Sequence, residues 1–163
     1  MEASSRVRPA ESLAFRLSQL GWSQARLFRE SLEPYGVDPR EFAVLRALSA
    51  AEGPSQRAVC TALGITPSRM VAVVDSLEAK GLVERRQNLQ DRRARAVYLT
   101  DAGGRTLAGV IDRVAKVEQW LSEPLVDSER EALLGLLRRL ADHMGLGGEV
   151  HPAVDSPWPW LEG

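Results

Sequence analysis

The fold of this chain is decided by residues 77–103, which read LEAKGLVERRQNLQDRRARAVYLTDAG. A helical pattern stops at Gly81, and two short stretches, 82–86 and 95–100, then flank a polar turn. This spacing predicts a two-stranded β-hairpin directly after a helix. Between residues 85 and 95 there are five arginines and one acidic residue, Asp91, so the local charge there is +4 in a chain whose net charge is −1. The patch fits contacts with phosphates, and it equally fits arginines that protect a solvated edge strand.

Two helix starts lie upstream of the hairpin. Ser55 is placed to cap a short helix that ends at Gly64, and Thr66-Pro67 open a second helix that runs to Gly81. Two short helices joined by a tight turn and followed by a hairpin have the order of a winged helix-turn-helix, whose second helix lies in a DNA major groove.

Longer helices flank this unit on both sides. Residues 11–32 predict a long first helix, and Asp38-Pro39-Arg40-Glu41 is a capping box with proline at the first helical position. Thr100 is placed to cap a fifth helix and Asp127 a sixth. The predicted fold class is therefore mainly α: a winged helix-turn-helix with a two-stranded wing and long N- and C-terminal helices.

Composition narrows the possible functions. The chain has 163 residues, of which 44% are hydrophobic and 26% charged, and it contains one cysteine and two histidines. This excludes an internal disulfide and makes a zinc site improbable, so we expect no metal and no cofactor. Neither a nucleophile with a partner base nor a glycine-rich phosphate loop is apparent, so we do not expect an enzyme. The absence of a membrane-length apolar run and of a signal-peptide pattern in residues 1–12 predicts a cytoplasmic protein without membrane contact.

The hairpin and its flanks also carry a specific resemblance. The segment Leu77–Arg85 followed by Asp91-Arg92-Arg93, Val97, Leu99-Thr100 and Gly103 is similar to the MarR family of bacterial transcriptional regulators. The resemblance covers about residues 10–145. It implies a homodimeric repressor or activator that binds palindromic double-stranded DNA, with the first, fifth and sixth helices forming the dimer. The alternative is a winged-helix protein-interaction module that does not bind DNA.

Pattern and resemblance together divide the chain. The expected parts are a disordered N-terminus at 1–10, dimerisation helices at 11–35 and 101–144, a DNA-binding domain at 36–100 and a Gly/Pro/Trp tail at 145–163. In the tail, Trp158 or Trp160 either packs against a helix or stays in a disordered chain end.

The fourth predicted helix should have an apolar inner face and a polar outer face. The inner residues are Met70, Val73, Val74 and Leu77. Arg69 is the one outer side chain able to hold guanine in a bidentate way, whereas Ala72 replaces the larger polar residue often found in the family and favours thymine-methyl or shape readout. Arg93 matches the family's wing arginine, which implies minor-groove insertion, with Asp91 either orienting an arginine or serving as an ordinary turn residue. The predicted DNA-contacting residues are Ser68, Arg69, Ala72, Ser76, Arg86, Asp91, Arg92, Arg93 and Arg95.

Three further residues are singled out. Arg16 lies among the apolar residues of the first helix. It either forms an interhelical salt bridge or snorkels at the dimer edge, or, as the resemblance supports, it binds the carboxylate of a small aromatic or phenolic effector. Trp22 is expected to pack in the core or to line that effector site. Cys60 is expected to be a buried, inert thiol.

Overall fold

A computed structural model describes residues 12–50, 53–87 and 95–146. The elements are α1 (Leu13–Leu32), a 3-10 turn (Glu33–Tyr35), α2 (Pro39–Ser49), α3 (Gln56–Leu63), α4 (Pro67–Ala79), β1 (Val83–Gln87), β2 (Arg95–Leu99), α5 (Asp101–Ser122) and α6 (Asp127–His143). Helices joined to one antiparallel strand pair confirm the predicted fold class. The predictions for 1–10 and for Trp158 and Trp160 lie outside the described residues.

Local capping sets most of the helix starts. The Asp38 carboxylate accepts hydrogen bonds from the backbone of Arg40 and Glu41, both at 2.8 Å, and the Glu41 carboxylate accepts one from the Asp38 N–H at 2.8 Å. The predicted capping box is thus confirmed. At α6 the expected cap is wrong: the N-cap is Val126, whose N–H donates to Glu129 Oε2, and Asp127 is the first helical residue. A carboxylate in the first turn still stabilises the helix dipole, which accounts for Asp127 at this position.

The helix-turn-helix is formed by α3 and α4. Their axes turn by 113°, which is within the range of this motif. Gly64 makes the turn with a φ of +63°, a left-handed conformation that favours glycine. The wing is fastened to the start of this unit, because the Val97 N–H donates to the Pro54 carbonyl at 3.2 Å and Ala96 pairs with Ser55.

The junction between the wing and α5 explains the glycine in the sequence motif. The Thr100 hydroxyl donates to the Gly81 carbonyl at 2.7 Å and accepts from the Gly103 N–H at 3.0 Å. A Cβ on Gly103 would lie 1.9 Å from the Leu82 carbonyl oxygen. Because that distance is impossible for a carbon, only glycine lets α5 begin this close to β1.

The core lies between α2, the helix-turn-helix, the wing, the C-terminal end of α1 and the N-terminal half of α5. Its most buried members include Leu32, Val44, Leu45, Met70, Val74, Leu77, Val97 and Val110. In contrast, none of the residues of α6 is buried within the chain. The sixth helix therefore does not contribute to this core.

None of the described helices is by itself long and apolar enough to cross a membrane. Among the described helices, α3 and α4 reach the length and apolar composition of a span only when they are counted together across their 113° bend.

Candidate nucleic-acid interface

The outer face of α4 is the central feature of the candidate interface. Met70, Val74 and Leu77 are buried beneath the helix, as predicted, and Val73 is half-buried. Ser68, Arg69 and Ala72 are exposed on the opposite side. The amphipathic division predicted for this helix is therefore confirmed, and these three side chains lie where a groove-inserted helix would present them.

A polar cluster joins the C-terminal half of α4 to the start of α2. The Lys80 ammonium donates to both carboxylate oxygens of Glu41, at 2.6 and 2.7 Å, and to the Gly36 carbonyl at 2.8 Å. The Ser76 hydroxyl donates to Glu41 Oε1 at 2.7 Å. Glu41, with its side chain 4% exposed, thus fixes two positions of α4, and we call Glu41, Ser76 and Lys80 the clasp.

The clasp keeps Glu41 ionised. Burial by itself raises the pKa of the Glu41 carboxyl, but the hydrogen bonds from Lys80, Ser76 and the Asp38 N–H outweigh burial and hold the pKa below its ordinary value of 4.5. Sequence reasoning assigned Glu41 only to the helix cap and Ser76 to DNA contact. In the structure Ser76 is half-buried and its hydroxyl donates to Glu41, which helps to position α4. Its contact with DNA stays a prediction.

A second polar contact joins α4 to the wing. The Arg85 guanidinium on β1 binds both Asp75 and Glu78 of α4, and its side chain is only 13% exposed. Burial tends to lower the pKa of Arg85, but the hydrogen bonds that its guanidinium donates to the two carboxylates outweigh burial and raise the pKa above its ordinary value. Arg85 was counted in the basic patch of the hairpin. Its charge is instead balanced by α4, because β1 returns alongside the end of that helix.

Arg86 remains on the exposed surface of the wing. Its guanidinium contacts Glu84 and lies 4.9 Å from the centroid of the Tyr98 ring on the neighbouring strand. Tyr98 in turn packs against Gly53, where a Cβ would overlap the phenol oxygen at 2.2 Å. These two contacts hold the arginine against the sheet while its side chain stays 59% exposed.

The tip of the wing carries the remaining predicted DNA contacts. Asp91, Arg92 and Arg93 lie outside the described residues, and for Arg95 the structure describes the backbone, which pairs with Gln87. That pairing closes the hairpin directly below the tip.

The two candidate effector residues lie in the N-terminal half of α1. Arg16 is exposed and donates to Gln19 Oε1 at 3.2 Å, so the apolar stripe on which it lies does not face the core of its own chain. Trp22 is 65% exposed, with the Arg26 guanidinium 5.5 Å from its ring centroid. The expectation that Trp22 packs in the core is therefore wrong for the single chain, since α1 contacts that core mainly through its C-terminal half.

A shallow depression of about 450 Å³ is found elsewhere, near the end of α5. It is lined by Lys116, Gln119, Trp120, Ser122 and Glu123, and neither Arg16 nor Trp22 belongs to it. Cys60 is buried in α3 as expected, and burial raises the pKa of its thiol.

Comparisons with known proteins agree on one family. Residues 35–94 match the MarR family. A transcriptional regulatory protein for the hcr operon of Thauera aromatica is 37% identical over 105 residues, which are 64% of this chain and 63% of that protein. The match thus spans less than two thirds of that relative's length.

Solved structures extend the likeness over most of the chain. The transcriptional repressor CouR bound to a 23-mer DNA duplex is 34% identical with a TM-score of 0.71, covering 86% of this chain and 99% of CouR. CouR from Rhodococcus jostii RHA1 bound to p-coumaroyl-CoA has a TM-score of 0.66 at 29% identity, covering 82% and 94%. PcaV from Streptomyces coelicolor, in complex with its natural ligand, has a TM-score of 0.66 at 30% identity, covering 87% and 98%.

Proposed function

This chain belongs to the MarR family of transcriptional regulators and is not an enzyme, and we propose that it binds palindromic DNA as a homodimeric repressor released by a small aromatic or phenolic ligand. The proposal assigns DNA binding to 36–100 and dimerisation to the helices within 11–35 and 101–144. A regulator of this kind acts where the chromosome is, so we place it in the cytoplasm.

One observation carries the DNA-binding part of the proposal. Ser68, Arg69 and Ala72 project from a helix that is held from both sides, by the clasp on α2 and by Arg85 on β1. Such rigid support is what a groove-reading helix needs, because docking a loose helix would cost conformational entropy. A relative of the same fold, CouR, has been solved on a DNA duplex.

The proposed contacts follow from this arrangement. Arg69 reads a guanine, Ser68 binds a phosphate or base edge, and Ala72 lies against the groove. On the wing, the exposed Arg86 binds backbone phosphate. The contacts assigned to the tip of the wing and its edge are Asp91, Arg92, Arg93 and Arg95, with Arg93 entering the minor groove. Ser76 contributes by positioning α4 within the clasp.

Exposed apolar side chains support a homodimer. No residue of α6 is buried within the chain, even though the helix is rich in leucine. Four of its leucines are between 38% and 54% exposed: Leu133, Leu134, Leu136 and Leu137. A helix with such a face gains most of its stability from packing, so a single chain leaves α6 without the contacts it needs. Leu13 and Leu20 of α1, 61% and 62% exposed, extend the uncovered surface. A second copy of the chain covers both helices in a two-fold dimer.

The effector part of the proposal rests on α1. Arg16 lies beside these exposed leucines, and the dimer would surround its guanidinium with apolar groups from the partner. A cation in that setting favours a carboxylate ligand, and Trp22 supplies an aromatic surface on the same helix. The p-coumaroyl group of p-coumaroyl-CoA, which CouR binds, is phenolic and supports the aromatic part of this proposal.

Salt-dependent binding tests the proposal. Fluorescence anisotropy with labelled duplex from the protein's own promoter region should show an affinity that falls steeply with salt. A plot of the logarithm of the association constant against the logarithm of the salt concentration should have a slope of about −0.9 for each phosphate contact. Arg69→Ala should weaken binding by about 1–3 kcal/mol and relax the sequence preference. Arg46→Ala, which removes the same charge from the exposed surface of α2, outside α4, the wing and the dimerisation helices, is the matched control and should change neither. Salt-independent or absent binding would favour a protein-interaction module instead.

A further inference from the structure

The middle of the α4 outer face is aliphatic. Val71, which sequence reasoning did not single out, is 45% exposed, and the neighbouring Ala72 is exposed as well. Because the two residues are adjacent in α4, their exposed methyl groups together form one small apolar patch. Two turns after Ala72, Ala79 is also exposed. The face thus offers methyl groups in the place where a DNA-reading helix commonly carries amides or guanidinium groups.

The polar residues next to this patch are already engaged within the protein. Asp75 is held by the Arg85 guanidinium, which neutralises its charge and draws the carboxylate toward β1. The Ser76 hydroxyl donates a hydrogen bond to Glu41. These contacts leave Val71 and Ala72 as the side chains that meet the groove at the centre of the helix, with Ser68 and Arg69 at its N-terminal turn.

Resting on the proposed function, we propose that Val71 and Ala72 read thymine through its 5-methyl group at the centre of each half-site. Thymine is the one normal base that presents a methyl group in the major groove, and its apolar contact partners are aliphatic side chains. Burying one methyl against such a patch changes affinity about fourfold per half-site. Arg69 then fixes the register on a guanine while the aliphatic pair selects thymine beside it.

Deoxyuridine substitution tests this inference cleanly. The probe is a duplex that the full-length protein binds specifically, with each thymine of one half-site replaced in turn by deoxyuridine, which removes the methyl group and keeps every hydrogen-bonding edge. We expect an affinity loss of about fourfold at one or two adjacent positions and little change at the others. Because uracil also alters DNA shape slightly, the comparison is repeated with Val71→Ala. The variant should bind thymine more weakly and show less than half of the wild-type sensitivity to uracil.

Two controls separate the possible failures. Ser68→Ala, on the same face of α4, should keep the full sensitivity to uracil. Since Val71 is 45% exposed, its truncation should leave the fold intact, which circular dichroism checks. Equal affinity for thymine and uracil duplexes, or an undiminished uracil effect in Val71→Ala, would overturn methyl readout while leaving DNA binding established. Failure of the wild-type protein to bind any duplex would overturn both this inference and the proposed function.

Discussion

Replacing Lys80 by methionine removes the cation of the clasp and keeps the length of the side chain. Glu41 is almost completely buried, with 4% of its side chain exposed, whereas Lys80 is 38% exposed. The variant therefore leaves a buried carboxylate with two donors, the Ser76 hydroxyl and the Asp38 N–H. A hydrogen bond to a charged group contributes about 1.5–3 kcal/mol, and breaking a fully buried pair costs about 3–5 kcal/mol. Because Lys80 is partly solvated, we expect a loss of about 2 kcal/mol.

Urea unfolding at one fixed protein concentration measures this loss near neutral pH. Lys116→Met is the matched control, because Lys116 pairs with Asp112 at a similar distance of 2.7 Å but both side chains are exposed. The control should be indistinguishable from the unmodified protein. In the double variant Glu41→Gln with Lys80→Met, the cost should be less than the sum of the two single changes by about 1 kcal/mol.

The pH dependence of this loss has a definite sign. The folded-state pKa of Glu41 lies below its ordinary value of 4.5, so the clasp contributes stability above that pH and loses its contribution as the pH falls through the folded-state pKa. The difference between the unmodified protein and Lys80→Met should therefore shrink as the pH is lowered from about 6 to about 3. A constant difference across this range, or a loss no larger than that of Lys116→Met, would refute the reasoning.

Three other perturbations have clear expected outcomes. Gly103→Ala places a Cβ 1.9 Å from the Leu82 carbonyl oxygen and should destabilise the protein by about 1–3 kcal/mol or more, whereas Gly104→Ala, with open space around it, should be neutral or slightly stabilising in thermal unfolding. Arg93→Ala should weaken operator binding by about 1–3 kcal/mol and lower the salt slope, and an unchanged slope would show that the wing is not inserted. Arg16→Lys should retain DNA binding but lose release by an aromatic acid, and dissociation of the dimer instead would identify Arg16 as a structural salt-bridge residue.

The element order was predictable because its signals are local. The capping box from Asp38 to Glu41, the left-handed turn at Gly64 and the Thr100 cap each involve residues within a few positions of one another, and all three appear in the structure. The amphipathic division of α4 was equally accessible, since a helical period identifies which side chains share a face.

The contacts that position α4 were not predictable in the same way. Glu41 and Lys80 are 39 positions apart, and Asp75 and Arg85 are 10 apart in different elements. A sequence shows that these charges exist but not which of them meet. Ser76 was therefore assigned to DNA, and Arg85 was counted in the basic patch of the hairpin, although both are engaged within the protein.

The stripe of α1 exposes a second limit of sequence reasoning. The spacing of Leu13, Leu17 and Leu20 identifies one apolar face, but periodicity does not say whether that face meets its own core or another chain. In the structure Leu13 and Leu20 are more than half exposed, so Arg16 and Trp22 are exposed with them.

Sequencing the genomic DNA fragments that the purified protein retains tests the central claim most directly. If two α4 helices of one dimer enter successive major grooves, the fragments should share an imperfect inverted repeat whose half-sites are centred about 10 base pairs apart. The repeat should weaken or disappear when the selection is repeated with Arg69→Ala and persist with Arg46→Ala. Recovery of fragments without a shared sequence, or of one unrepeated motif, would contradict a two-fold DNA-binding dimer.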